Sequence, residues 1–150
     1  MELIKYNNKY RPQLNTWQEK EKQQGSSGLE DFVVLKGTLL GDYLEMIDAE
    51  MKTVCLLALD NQELVGFSCY EKKEGGRYHV EIMGVSPDKR GMGYSQKILS
   101  ALKNRLSKEE DFTSLTLSVS VKNIAGQHAF DKVGERIGLS ENENYFEYEI

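Results

Sequence analysis

Apolar and polar residues alternate loosely from Glu2 to Tyr6, which predicts a short opening strand. The period then changes. Tyr10, Leu14 and Trp17 recur at helical spacing, and the tract Gly25-Ser26-Ser27-Gly28 ends that helix near Gln24. The tract reads as a plain connection, with a lid as its alternative. Leu39, Leu40, Tyr43, Leu44, Ile47 and Met51 form a second helical stripe. Thr53 to Leu59 and Leu64 to Tyr70 are apolar and β-branched runs on either side of the polar Asp60-Asn61-Gln62-Glu63, the pattern of a hairpin. Cys55 and Cys69 fall within one residue of direct opposition on it.

A charged turn from Lys72 to Arg77, holding Gly75-Gly76, leads into a strand from Tyr78 to Val85. From Gly93 or Tyr94 to Leu106 the apolar residues Ile98, Leu99, Leu102 and Leu106 share a helical face. Ser114 to Val121 alternates as a strand, Asn123 to Val133 reads as a helix, and Tyr145 to Ile150 as a terminal strand. The order is β-α-α-β-β-β-α-β-α-β. The strand at 78–85, the following helix and the strand at 114–121 make a right-handed βαβ unit with parallel strands. The hairpins require antiparallel pairs. The expected architecture is a single α/β domain over 1–150, with a central mixed, mostly antiparallel sheet and helices on both faces.

The chain has 150 residues and a net charge of −5, with 39% hydrophobic and 29% charged residues. A chain this long buries roughly 70% of its unfolded surface and needs no disulfide staples. No apolar run reaches the ~20 residues of a membrane helix, and Met1 to Arg11 lacks the apolar region of a signal peptide. Acids outnumber bases 24 to 19 and the bases are scattered, which speaks against nucleic acid as a partner. The two cysteines and two histidines, His79 and His128, show no metal-ligand spacing, so no metal is expected. Buried free thiols in a reducing, cytoplasmic setting are the simplest reading of Cys55 and Cys69.

The run Val85-Ser86-Pro87-Asp88-Lys89-Arg90-Gly91-Met92-Gly93-Tyr94-Ser95 carries the chemistry. A strand ends, Pro87 stops it, and a short Arg-Gly-x-Gly loop enters a helix. The first helical N–H groups have no partner within the helix, and together with the positive dipole end they form an anion site. Gly91 and Gly93 let a ligand approach the backbone, and Arg90 adds a fixed positive charge suited to phosphate. A diphosphate is the natural occupant. The dinucleotide and Walker fingerprints are both absent.

Here the sequence resembles the GCN5-related N-acetyltransferases, the GNAT superfamily. Its pyrophosphate loop, R/Q-x-x-G-x-G/A, is matched by Arg90 to Ser95, with Ser95 in place of the last small residue. Val85 and Pro87 stand where that family has V-x-P. Of its N-x-x-A-x-x-L-Y-x-K-x-G-F motif, Asn123, Lys132 and Gly134 are kept. Gly126, Ala129, Phe130 and Glu135 replace the Ala, Leu, Tyr and Phe. Leu64-Val65-Gly66-Phe67 also resembles the family's third strand. The resemblance covers Thr53 to the C-terminus, and the first ~50 residues match only in element order.

The resemblance implies a GNAT-like fold and transfer of an acyl group, usually acetyl from acetyl-CoA as co-substrate, to an amine. It implies that the fourth and fifth strands splay apart around the pantetheine. It implies that the N–H groups of Arg90, Gly91, Met92, Gly93, Tyr94 and Ser95 hold the pyrophosphate. Backbone groups of Met83 and Val85 would pair with the pantetheine or polarise the thioester, and Asn123 would contact the pantetheine arm. Strand alternation puts His79, Glu81, Met83 and Val85 on one face. The attacking amine must be neutral, so a base must take its proton. Glu81, four residues before Val85, stands where several family members keep a glutamate base. Its alternative is a structural carboxylate paired with lysine, and His79 is a second candidate base. Phe130 departs from the family tyrosine proposed to protonate the leaving thiolate. Tyr94, Tyr145, Tyr148 or water could take that part, or catalysis has been lost. The reading is thus an N-acetyltransferase acting by direct attack in a ternary complex. Its rival is a non-catalytic acyl-CoA-binding or sensing module that engages a protein partner. The acceptor, expected near Gly25–Gly28 and Gly138–Asn144, is not legible. A homodimer through the tail strand is left open.

Overall fold

A computed structural model describes residues 1–23 and 37–150. The tract Gly25–Gly28 and the predicted helix end near Gln24 lie outside the described residues. The elements are β1 (Glu2–Lys5), α1 (Arg11–Asn15), α2 (Trp17–Gln23), α3 (Leu40–Ala49), β2 (Val54–Asp60), β3 (Glu63–Lys72), β4 (Arg77–Val85), α4 (Tyr94–Leu106), β5 (Ser114–Ser120), α5 (Ile124–Asp131), β6 (Glu135–Leu139) and β7 (Tyr145–Glu149). Among the described residues the strands form one seven-stranded sheet in the order β1-β2-β3-β4-β5-β7-β6. Only β4 and β5 pair in parallel.

Two differences from the sequence pattern have local causes. The expected first helix is broken into α1 and α2 at Thr16. There the backbone N–H and the hydroxyl both donate to the Gln13 carbonyl, the hydroxyl at 2.6 Å, and this tight turn competes with helical continuation. The strand β6 was not anticipated. Its residues are exposed throughout and carry no burial periodicity, and its pairing with β7 slips at Ile137.

Each face of the sheet has its own core. On one side Leu14, Trp17, Leu40, Leu44 and Ile47 from α1–α3 pack on Leu57, Phe67, Cys69 and Ile82. On the other, Leu99, Leu102 and Leu106 of α4 and Phe130 of α5 pack on Leu56, Tyr78, Val80, Leu117 and Tyr148. Cys55 and Cys69 are buried free thiols in direct register across the β2–β3 hairpin.

The strand β4 takes part in both cores, and this overturns one expectation. His79, Glu81, Met83 and Val85 do not share a face. In the pairing of β3 with β4, Cys69 opposes Ile82 while Tyr70 opposes Val80, so Glu81 is an extra residue without a counterpart. Such a bulge shifts the alternation by one. Before it, Tyr78 and Val80 face α4, and His79 lies on the opposite side. After it, Ile82 faces α1–α3, and Met83 and Val85 face α4.

Candidate active site

Parallel pairing of β4 with β5 runs from Arg77–Ser114 to Val80–Leu117 and stops there. Beyond that point β5 stays paired with β7 through Ser120, while β4 stays paired with β3 through Val85. A gap therefore opens between the two strands, with its vertex at the Glu81 bulge. The Ser86 N–H donates to the Val65 carbonyl at 2.8 Å, toward β3. In an extended strand successive residues alternate direction, so Val85 and Met83 turn their backbone groups toward the gap. The Val85 carbonyl already accepts a bond from Arg90 Nε at 3.2 Å.

At the mouth of the gap the chain makes a 3-10 turn over Pro87–Lys89, then runs through Gly91 and Gly93. Both glycines are left-handed, at φ 77° and 81°, a region that L side chains enter only at a cost. Gly93 is the N-cap of α4, and no side chain caps that end. The first turn of α4 holds no acidic residue either. A thirteen-residue helix thus presents its N–H groups and positive dipole end to whatever lies in front of the loop. These are the features that a diphosphate requires.

The charge expected from Arg90 is directed elsewhere. Its guanidinium pairs with Glu21 of α2 at 2.6 Å, and Glu21 is only 1% exposed. Beside it Lys20 of α2 reaches Asp88 at 3.1 Å. Arg90 therefore fastens α2 to the loop through its side chain. Met92 is exposed, and Tyr94 is fixed by donating its hydroxyl to Asp60 at 2.6 Å. That bond is the main reason the Tyr94 hydroxyl holds its proton above the usual range.

Asn123 is the N-cap of α5, and its Oδ1 accepts from the Gly126 N–H at 2.8 Å. Phe130 is buried and stacks edge-on against Tyr148. The Tyr148 hydroxyl donates to Asp131 at 2.8 Å and accepts from Arg136. Two of the three tyrosines considered as acids are thus bound to carboxylates. The third, Tyr145, is exposed at the start of β7, opposite Ser120.

Glu81 sits on the α1–α3 side of the vertex within a charged cluster. Its carboxylate lies 3.1 Å from Lys73 Nζ, and the same ammonium lies 3.4 Å from Glu71 of β3. Lys52 lies 3.4 Å from the other Glu71 oxygen. The two carboxyl groups lie close enough to perturb one another's ionisation. Burial first, then Glu71, holds the Glu81 carboxyl above its ordinary range, while Lys73 pulls it down. Glu71 is held below its range by Glu81 and by the two lysines. Both alternatives weighed for Glu81 are therefore present in geometry: it pairs with a lysine, and it is a carboxyl with raised proton affinity at a strand vertex. His79 points its Nδ1 at Thr116 Oγ1, 2.7 Å away, and burial lowers its pKa. His128 is exposed on α5. Glu71 and Lys73 were not singled out from sequence, because only the pairing of β3 with β4 brings them to Glu81.

An uncapped helix start lies beside a pair of parallel strands that part. The sequence model of the acetyltransferase (GNAT) family matches residues 12–134, and the chain belongs to that family. The match begins well before the motifs at 85–95 and 123–134 and stops short of β6 and β7. No curated protein matches the chain in sequence. Among solved structures, the aminoglycoside acetyltransferase AAC(6')-Ib in complex with ribostamycin and coenzyme A aligns at TM-score 0.75 and 17% identity, covering 98% of this chain and 90% of that one. The ribosomal L7/L12 α-N-protein acetyltransferase RimL in complex with coenzyme A aligns at 0.73 and 13%, covering 99% and 92%. A spermidine N-acetyltransferase SpeG chimera from Vibrio cholerae and hSSAT aligns at 0.69 and 12%, covering 99% and 93%. These likenesses speak to the fold.

Among the described residues no group of three or more His, Cys, Asp or Glu side chains is arranged to hold a metal ion. Among them, too, no helix is long and apolar enough to cross a membrane.

Proposed function

We propose that this chain is an N-acetyltransferase that moves an acetyl group from acetyl-CoA to a primary amine by direct attack in a ternary complex. The observation that carries the reading is the parting of β4 from β5 at Val80 and Leu117, next to an uncapped α4 with two left-handed glycines. The N–H groups from Arg90 to Ser95 bind the diphosphate. The pantetheine follows the gap, in reach of the Met83 and Val85 backbone and the Asn123 amide. Complexes of two structural neighbours with coenzyme A support this choice of donor. The buried thiols fit a reducing, cytoplasmic setting.

In the reaction the amine nitrogen attacks the thioester carbonyl carbon. The C–N bond forms, the C–S bond breaks, and the nitrogen gives up one proton. Glu81 takes that proton, directly or through water, from the α1–α3 side of the vertex. The sulfur leaves as thiolate, which an ordinary thiol pKa of about 8.5 allows without a strong acid. Phe130 has no proton to give, and Tyr94 and Tyr148 donate to carboxylates instead.

The test has two stages. Isothermal titration with acetyl-CoA should show one site per chain. Glu81→Gln should then lower turnover strongly at neutral pH while acetyl-CoA affinity stays as in the wild type. Unchanged turnover would make Glu81 structural. The bound tyrosine hydroxyls and Phe130 favour the rival reading, an acyl-CoA-binding module that engages a protein partner. Under that reading acetyl-CoA binds, but no primary amine accelerates CoA release.

A further inference from the structure

Glu71 has no assigned part in the reaction, yet it is the residue most intimately tied to Glu81. It comes from β3, directly across from His79, and its side chain is only 11% exposed. The pairing of β3 with β4 brings the two carboxyl groups to the same side of the sheet, beside the bulge. Among the described residues the pair has one shared counter-ion, Lys73, within 3.4 Å of both. Lys52 serves Glu71 alone.

We propose, resting on the acetyltransferase reading above, that Glu71 is a positioning residue for Glu81: through the Lys73 ammonium that both carboxyl groups share, it holds the Glu81 side chain at the vertex. Two carboxylates that share one ammonium cannot both ionise freely. Glu71 is anchored by two lysines, so Glu81 is the one of the pair that holds a proton to higher pH. That makes Glu81 a stronger proton acceptor once it has ionised, which is what a base for an amine near neutral pH needs. It is consistent with the opposite directions in which the two carboxyls are displaced. The other charged or titratable groups around the pair are His79 and Arg77 on β4, Tyr43 on α3 and Glu147 on β7. Of these, His79 is kept neutral by burial and bound to Thr116, so it does not compete for the same proton.

The experiment is a carbon-detected NMR titration of the Glu81 carboxyl in the ligand-free protein, assigned with Glu81→Gln, alongside the pH profile of kcat/KM for acetyl transfer. In Glu71→Gln the Glu81 midpoint should move to lower pH, and the acid limb of the profile should move with it. In Lys73→Met both should move to higher pH. KM for acetyl-CoA should hold in both variants. Two variants of opposite sign guard against one that folds poorly, and a merely structural Glu71 would not give opposed shifts. A Glu81 midpoint unmoved by both variants overturns the proposal whatever the activity. A moved midpoint with an unmoved acid limb overturns it as well, because the pair would then not serve the reaction. Failure of the acetyltransferase reading itself shows separately, as wild-type protein that acetylates no amine.

Discussion

The left-handed conformation of Gly93 makes a quantitative demand on any residue that replaces it. At φ 81° the N-cap of α4 lies where an L residue costs roughly 1–2 kcal/mol, and a β-branched one lies at the upper end. Crowding adds little, since a Cβ there meets only the flexible end of Gln96 at 3.1 Å. Gly93→Val has two ways to respond. It can keep the loop and lose about 2 kcal/mol of stability, which for a chain of this length lowers Tm by about 4–8 °C. Or it can return to negative φ and turn the first N–H groups of α4 off the diphosphate. Losing two hydrogen bonds to a charged group costs about 3–6 kcal/mol in binding, a hundredfold or more in Kd. Isothermal titration with acetyl-CoA and a melt of the free protein separate the two. Gly75→Val is the control. Gly75 sits at φ 70° with nothing within 4 Å, in the turn at the opposite end of β4. It should carry a similar conformational cost and leave acetyl-CoA affinity alone. Gly93→Val protein that binds acetyl-CoA as tightly as the wild type would refute the loop assignment. Equal loss of affinity in both variants would trace the effect to global instability.

Two further outcomes follow from side chains that the structure commits to other tasks. Arg90→Met removes the guanidinium that meets the buried Glu21 at 2.6 Å, and loss of one partner of a buried pair should cost about 3 kcal/mol. Glu21→Gln keeps a hydrogen-bond acceptor and should cost less; urea unfolding compares them, and wild-type stability in Arg90→Met would show that this pair fastens nothing. Tyr148→Phe removes a hydroxyl that donates to Asp131 and accepts from Arg136, and should cost about 1–2 kcal/mol of stability. Its turnover should equal that of the wild type, whereas a fall in turnover would return Tyr148 to the list of proton donors.

Much of this was legible because it rests on local signals. The stripe Ile98, Leu99, Leu102 and Leu106 gave α4 to within a residue, and all four side chains are buried. The Pro87 stop followed by Gly91 and Gly93 located the turn and the uncapped start of α4, because proline and glycine act through their own backbone angles. The features that were not legible depend on partners distant in sequence. Arg90 carries the charge expected of a phosphate ligand, but its partner Glu21 lies 69 residues earlier and is brought up by α2. The exposed β6 has no pattern that burial could imprint, and only pairing with β7 makes it a strand. The bulge at Glu81 shows in no periodicity, since Tyr78 to Val85 alternates plausibly without it. Glu71 and Lys73 were missed because they meet Glu81 only through the pairing of β3 with β4.

The bulge also bears on how one strand can serve two reactants. On the proposed reaction the acyl carrier lies in the gap and uses the in-plane backbone groups of Met83 and Val85. The amine has to arrive from a face of the sheet, and the α4 side at the vertex is filled by Val80, Leu117 and their helices. A regular strand that kept the Val80 side chain in that core would place Met83 and Val85 on the opposite side from it, pointing them at the incoming amine. With the extra residue, Met83 and Val85 turn into the α4 core and Glu81 is left on the α1–α3 side with Glu71 and Lys73. Deleting Glu81 would therefore close the bulge with the flanking pairs Tyr70–Val80 and Cys69–Ile82 kept in register, so every side chain from Ile82 to Val85 would stay on its present face. A folded protein with lowered turnover, rather than loss of folding, is what that geometry requires, and a melt beside an acetyl-transfer assay of the deletion variant checks it.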